Sequence, residues 1–314
     1  MPQPKLTVEQ MLESVNLVEQ YGSAHMAARN SSLPKGTIEW RCQQGRLNGV
    51  KPTIYKETPK PYVQERLGRV HLVIPDLQVH SGVNTDHLEQ IGNYIVEKKP
   101  DVIIQLGDAA DIPSLNSYTK GKREAEGKRL MKDIAAVHLA MERLFKPIHD
   151  YNRTAEVKYE PEWELTEGNH EHRIEREIED NPRLEGMFDK KDLAYEEFGW
   201  RVHEFLKVLT IDGVEYAHYF TSGNMGRPVT TAAALLRERQ CSAIMGHVQH
   251  TDMAFHKKTQ NIAMFAGICY THDEAYLGPQ GNNTRRQIVM LHEVEDGRFD
   301  PMFVSLKFLS KRYA

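Results

Sequence analysis

The sequence predicts an α/β protein with a small all-α unit ahead of it, and three observations predict this class. From Arg69 onward, the apolar runs VHLVIP and DVIIQL flank a helix-like stretch, DHLEQIGNYIVEKK, in strand, helix, strand order. Through the last third, short β-like runs alternate with turns: LKVLTI, VEYAH, SAIMG, IAMFAG, QIVMLHEV and MFVSLKF. Before residue 50, by contrast, only helical periodicity is found. A length of 314 residues allows one large domain plus a small appendage, and 40% hydrophobic with 27% charged residues can bury a core.

The helical head comes first. Residues 7–21, TVEQMLESVNLVEQY, carry Met11, Leu12, Val15, Leu17 and Val18 as an amphipathic helix expected to end at Gly22. Ser23 is the expected cap of a second short helix in SAHMAARN. After the turn SSLPKG, a third helix, TIEWRCQQGR, is expected to close at Gly45. Three prolines and no sustained period mark 51–68 as a linker. The expected organisation is a domain over 1–50, a linker over 51–68 and the sheet-bearing domain over 69–314. In that last domain, charged helical sequence is expected over roughly 120–150 and 171–204, with the strand WELTEG between them.

Composition removes several classes. No apolar run approaches the roughly 20 residues that span a bilayer, so no membrane partner is expected. MPQPKLTVEQ has no apolar stretch behind a basic start, which reads as no secretory signal and a cytoplasmic location. Cys42, Cys241 and Cys269 are far apart and form no CxxC pair, so neither a disulfide frame nor a zinc knuckle is expected. The net charge of −4 does not announce a polyanion partner, although residues 1–70 hold ten Lys or Arg against six Glu and no Asp.

Chemistry gathers where the apolar runs end. In order come Asp76-Leu-Gln78, then Gly107-Asp108-Ala-Ala-Asp111, Gly168-Asn169-His170-Glu171, His218 after VEYA, and Gly246-His247-Val-Gln-His250. The carboxyl ends of parallel strands face one crevice, so five separated segments could deliver these side chains to one place. Oxygen donors mixed with imidazole suit Mn2+, Fe2+ or Zn2+ better than Ca2+ or Mg2+. The candidates outnumber what one tetrahedral ion takes and match two ions about 3.5–4 Å apart sharing a carboxylate.

The ordered series D-x-[H/Q], GDxxD, GNH[DE], lone His and GHxH resembles the calcineurin-like metallophosphoesterase superfamily, from about residue 69 to the last residue. The resemblance implies two mixed sheets packed as a sandwich and flanked by helices. It puts Asp76, Gln78 and His250 on a first metal, Asp108 between two metals, and Asn169, His218 and His247 on the second. His170 would face the scissile phosphate without ligating metal, and Asp111 would orient it. The cofactors implied are two divalent ions, Mn2+ first, with Fe2+, Zn2+ or Mg2+ as alternatives. A hydroxide between the ions would attack phosphorus in line, and His170 would steady the charge or protonate the leaving oxygen. The family usually has His where this chain has Gln78, a weaker neutral donor; His80 is read as a rim residue.

Other histidines get a plain structural reading: His25, His71, His87, His138, His149, His203, His256 and His292. His172, Arg173 and His272 lie near motif segments, where a substrate contact is weighed against a plain surface role.

The segment YGSAHMAARNSSLPKGTIEWRCQQGR resembles a helix-turn-helix of the transposase or resolvase type. That implies a core of Ala27, Ala28, Leu33 and Ile38, with Lys35, Thr37, Arg41 and Gln44 turned to the major groove or phosphates. Arg46 and Lys51 would add phosphate contacts. A protein-docking module is the alternative. The basic stretch at 119–132 is read as a solvated helix face or a second contact surface.

The expected activity is therefore metal-dependent hydrolysis of a phosphodiester, with nucleic acid, DNA before RNA, as substrate and partner. A phosphatase or nucleotide phosphodiesterase is the alternative within enzymes, and a DNA-binding regulator on a non-catalytic phosphoesterase scaffold the alternative outside them.

Overall fold

In the computed structural model, which describes residues 6–21, 23–53, 68–274 and 278–313, three helices enclose a small apolar core at the head of the chain. They are α1 (Val8–Tyr21), α2 (Ala24–Arg29) and α3 (Lys35–Leu47). Ala27, Ile38 and Cys42 form the core, with Val15, Val18, Ala28 and Leu33 packed on it. The hydroxyl of Ser23 caps α2 by accepting from the N–H of Met26 at 3.2 Å. Gly45 does not close α3. It lies buried inside the helix, where a Cβ would come within 3.2 Å of Val15, so its bareness serves packing against α1. The expected stop at Gly22, and residues 54–67 of the expected linker, lie outside the described residues.

The chain divides into two compact units, Met1–Glu65 and Arg66–Ala314. The second opens with β1 (Arg69–Ile74), α4 (Asp86–Lys98), β2 (Val102–Gln105), α5 (Leu130–Thr154), β3 (Glu162–Thr166), α6 (Arg173–Asp180) and β4 (Arg201–His203). It continues with β5 (Leu209–Ile211), β6 (Val214–Ala217), β7 (Thr221–Ser222), β8 (Arg227–Pro228), α7 (Ala232–Arg239), β9 (Ser242–Met245), β10 (Thr251–Phe255) and β11 (Ile262–Ala266). Short α8 (Gly278–Gly281), β12 (Gln287–Glu295), β13 (Arg298–Ser305) and α9 (Leu306–Tyr313) complete it.

Two main sheets result. Sheet one has the order β13-β12-β1-β2-β3-β4, and sheet two β10-β11-β9-β6-β5. β1 to β4 run parallel in sheet one, and β6, β9 and β11 run parallel in sheet two. The two-residue alternation of the strands decides the layering. On β1, Val70, Leu72 and Ile74 join Leu88, Ile91 and Ile95 of α4 and Val137, Met141 and Leu144 of α5 in one buried cluster. Val73 faces the other way, into a cluster with Val102 and Ile104 of β2 and Tyr216, Ile244 and Met264 of sheet two. Behind sheet two, Ala217, Met245 and Phe265 pack on Leu235 and Leu236 of α7. Helices thus flank two packed sheets.

The charged sequence at 171–204 is less helical than expected. Only Arg173–Asp180 forms an α-helix, followed by 3-10 turns at Pro182–Leu184 and Lys190–Leu193. The stretch at 120–150 likewise begins with a 3-10 turn, and α5 starts at Leu130. Charge-rich composition gives helical propensity but does not fix where caps and prolines end a helix. No helix among the described residues is long and apolar enough to cross a membrane.

Candidate metal centre

The carboxyl ends of β1, β2, β3, β6 and β9 lead into Asp76, Asp108, Asn169, His218 and His247 respectively. The first three follow sheet one and the last two follow sheet two, so the two sheets converge on one polar centre. Asp108, His218 and His247 each offer a ligand atom within 4.8 Å of the others. Nε2 of His218 lies 2.9 Å from Oδ1 of Asn169 and 3.4 Å from Oδ1 of Asp108. Its Nδ1 lies 2.8 Å from the Leu106 carbonyl, which takes the proton there and leaves Nε2 as a lone-pair donor.

Asp76 belongs to the same group. Its Oδ1 accepts from the N–H of His247 at 2.9 Å, while Oδ2 is buried without a hydrogen-bond partner. Gln78 is fully buried, and neither its Oε1 nor its Nε2 has a partner. Its backbone is left-handed (φ 44°), and its N–H bonds the Asp108 carbonyl at 2.8 Å. Burial, with the charge of Asp108 added, pushes the Asp76 carboxyl well above the usual carboxylate range. Burial also works against charge on Asp108, but the imidazoles of His170 and His218 outweigh it and hold that carboxyl below its ordinary value.

Each orphaned buried polar atom costs on the order of 1–3 kcal/mol, and two buried carboxylates repel. A divalent cation satisfies the oxygens among these groups, Oδ2 of Asp76 and Oε1 of Gln78, and offsets the carboxylate repulsion, so the residues present fit one. The histidines are already in the ligating form. Burial lowers His218, and burial together with His218 lowers His247 to about 4.

Asp111 and His170 stand beside this group. Nδ1 of His170 lies 2.7 Å from Oδ1 of Asp111, an ion-pair contact without hydrogen-bond alignment, and its Nε2 lies 3.7 Å from Oδ2 of Asp108. Burial disfavours the imidazolium, yet Asp108 and Asp111 together raise His170 above its ordinary value. Asp111, buried, is nevertheless held down to about 2 by His170 and Arg173, whose Nη1 lies 3.1 Å from Oδ1.

Glu171 is the residue that sequence reasoning quoted in GNHE without giving it a task. Fully buried, it accepts from the N–H groups of Asp108 (3.0 Å), Gly168 (2.9 Å) and Ala110 (2.9 Å) and from the Tyr195 hydroxyl (3.2 Å). It therefore ties the loop after β2 to the loop after β3. Burial, then the nearby Asp108, raises it to about 7. The motif glycines act at the same seam: a Cβ on Gly168 would strike Oδ1 and N of Asp108, and one on Gly246 would strike Oδ1 of Asp76.

His250 is exposed. Its ring packs edge-on to Phe265 at 5.8 Å and its Nδ1 lies 3.0 Å from the Val248 carbonyl, outside the Asp108, His218 and His247 group. His80 is half-buried, with Nδ1 2.8 Å from the Ser81 carbonyl.

In the helical head, Lys35 and Arg46 are exposed on α3, with Lys35 paired to Glu39 at 3.4 Å. Thr37 and Gln44 are half-buried, and Arg41 is turned to α1, where it pairs with Glu13 at 3.0 Å. Trp40 is 51% exposed on another face of α3; its place two residues from buried Ile38 and Cys42 is the signal that could have shown it.

No protein-family model and no curated protein matches the chain. Among solved structures, one similar to it is wild-type Vps29 complexed with Zn2+ from Entamoeba histolytica, at 10% identity and a TM-score of 0.33, covering 76% of this chain and 99% of that one. Another is TT1561 of Thermus thermophilus, at 7% identity and a TM-score of 0.34, with the same coverage. Both scores are low, and neither likeness bears on the chemistry.

Proposed function

We propose that the chain is a divalent-metal-dependent phosphodiester hydrolase acting on nucleic acid, DNA before RNA. The observation that carries this reading is the convergence of Asp76, Gln78, Asp108, Asn169, His218 and His247, with two buried oxygens, Oδ2 of Asp76 and Oε1 of Gln78, left for a cation to satisfy. Asp76 and Gln78 would hold one ion, with His250 as the third donor that this reading requires. Asn169, His218 and His247 would hold the other, with Asp108 shared. When bound, such a pair, Mn2+ first, supplies Lewis acidity, acidifying water and neutralising charge gathered at phosphorus.

The chain's own residues do the rest. His170 keeps its proton near neutral pH because Asp108 and Asp111 raise it. Asp111 faces Nδ1, which leaves Nε2 to donate to a phosphoryl oxygen or to the departing alkoxide. Glu171 holds the backbone of Asp108 and Gly168 in register. The exposed Lys35 and Arg46 on α3 support a nucleic-acid partner through phosphate contacts.

Hydrolysis of bis-p-nitrophenyl phosphate beside p-nitrophenyl phosphate, with Mn2+ added or chelated, tests the proposal. Mn2+-dependent cleavage of the diester is expected. Cleavage of the monoester alone would replace this reading by a phosphatase, and no cleavage of either by a folded, metal-loaded protein would replace it by a non-catalytic scaffold.

A further inference from the structure

Beside His170 the surface opens into a cleft of about 660 Å³. Asn169, His170 and Asp111 line one part of it, and His80 and His272–Glu274 another. The remaining wall is the segment 113–128, a series of 3-10 turns at Pro113–Leu115, Ser117–Thr119 and Arg123–Ala125. That wall carries Tyr118, which is 82% exposed, together with Lys122 and Lys128. Among the described residues neither lysine has an acidic partner.

The wall is built to hold its shape. Asn116 Oδ1 accepts from the N–H of Tyr118 at 3.0 Å, and the hydroxyl of buried Thr119 donates to the Asn116 carbonyl at 3.1 Å. Fully buried Asp133 accepts from the N–H of Ser114 at 3.3 Å and from the hydroxyl of Ser81 at 2.9 Å, tying the wall to the loop after β1. An exposed aromatic ring on such a turn makes no use of its apolar face within the chain. Among the described residues no ring packs on Tyr118 and no carboxylate pairs with Lys122 or Lys128, although Glu124 stands on the same wall.

A ring face beside unpaired cations, next to a phosphate-directed histidine, is the arrangement that receives a stacked base and its flanking phosphates. We infer that Tyr118, Lys122 and Lys128 form a subsite for a single-stranded polynucleotide, taking the nucleotide adjacent to the scissile phosphate. Bases of a duplex are stacked on one another and offer no free face to Tyr118, so an unpaired strand is the class that fits. The inference rests on the phosphodiesterase reading above for its orientation, and on the cleft alone for the binding itself.

The test is the affinity of the full chain for a fluorescein-labelled deoxythymidine hexamer, read by anisotropy with the metal chelated so that nothing is cut. Tyr118→Ala should weaken binding roughly tenfold, Tyr118→Phe should retain it, and Lys122→Ala with Lys128→Ala should flatten its salt dependence. Thermal melts confirm that the variants fold. Photo-crosslinking of a 5-iodouracil hexamer should place adducts on the 113–128 peptide. Equal affinity in all variants, or adducts confined to residues 8–50, overturns the inference. If wild type fails to cleave bis-p-nitrophenyl phosphate, the phosphodiesterase reading falls while anisotropy still decides the subsite.

Discussion

At the centre, the loops after β1, β2 and β3 carry Asp76, Gln78, Asp108 and Asn169, whereas those after β6 and β9 carry His218 and His247. Sheet one therefore brings oxygen and sheet two brings nitrogen. The oxygen side is buried, charged and stitched through Glu171, with Asp76 and Glu171 both raised. The nitrogen side is neutral from the start, His247 standing at about 4. The difference teaches that the two sheets do separate work: one holds buried carboxyls that burial keeps protonated, Asp76 foremost, and the other supplies lone pairs that need no proton removed.

Removing the central oxygen donors should break this division most completely. Asp108→Ala or Asn169→Ala is expected to lower Mn2+-dependent diester hydrolysis by roughly a thousandfold or more, as measured with bis-p-nitrophenyl phosphate. Unaltered turnover in both would remove these residues from the site. Next in size is the seam between the sheets. Gly246→Ala drives a methyl group at Oδ1 of Asp76 without deleting any donor. It should cost about a hundredfold in kcat through misplacement, with the melting temperature separating this from unfolding.

A third test concerns protons. A cation binds ionised carboxylates, and without it the Asp76 carboxyl, which would ligate it, is raised well above the usual range. Asp76 must then give up its proton on loading, so Mn2+ affinity should fall as pH drops below neutral, by up to roughly tenfold per unit. His247, lowered to about 4, has no proton to release near neutral pH, and His218 is lowered in the same direction. Calorimetry in buffers of different ionisation enthalpy should find fewer protons released by Asp76→Asn and an unchanged number in His247→Gln. The smallest effect is expected from exchanging one donor class for the other. Gln78→His should shift preference several-fold from Mn2+ toward Zn2+, while His80→Ala should leave metal affinity within a few-fold of wild type.

Much of this was legible in the sequence, because strand ends are. A strand-like run followed by a polar motif marks both a strand and the place where its polar residues emerge: Pro-Asp after β1, Gly-Asp after β2, Gly-Asn after β3 and Gly-His after β9. What could not be read were contacts across the fold. Nothing local shows that Arg41 turns to Glu13, or that Gly45 lies within α3 to admit Val15. Glu171 was visible as a letter in GNHE, but its three N–H partners come from loops around residues 108–110 and 168, brought together only by adjacent parallel strands. The 3-10 turns at 182–193 escaped because charge-rich sequence has helical propensity wherever it lies.

The bond between the N–H of His247 and Asp76 spans 171 positions of sequence. Contacts of that span come late in folding, since the entropy of closing the loop is lost before the contact returns anything. A chain emerging from the ribosome would present β1 to β4, with every oxygen donor in hand, before β9 could join β6, while β12 and β13 of sheet one come later still. The metal centre is in this sense a completion signal: a truncated copy ending before β9 carries the acidic half of the site and lacks His247.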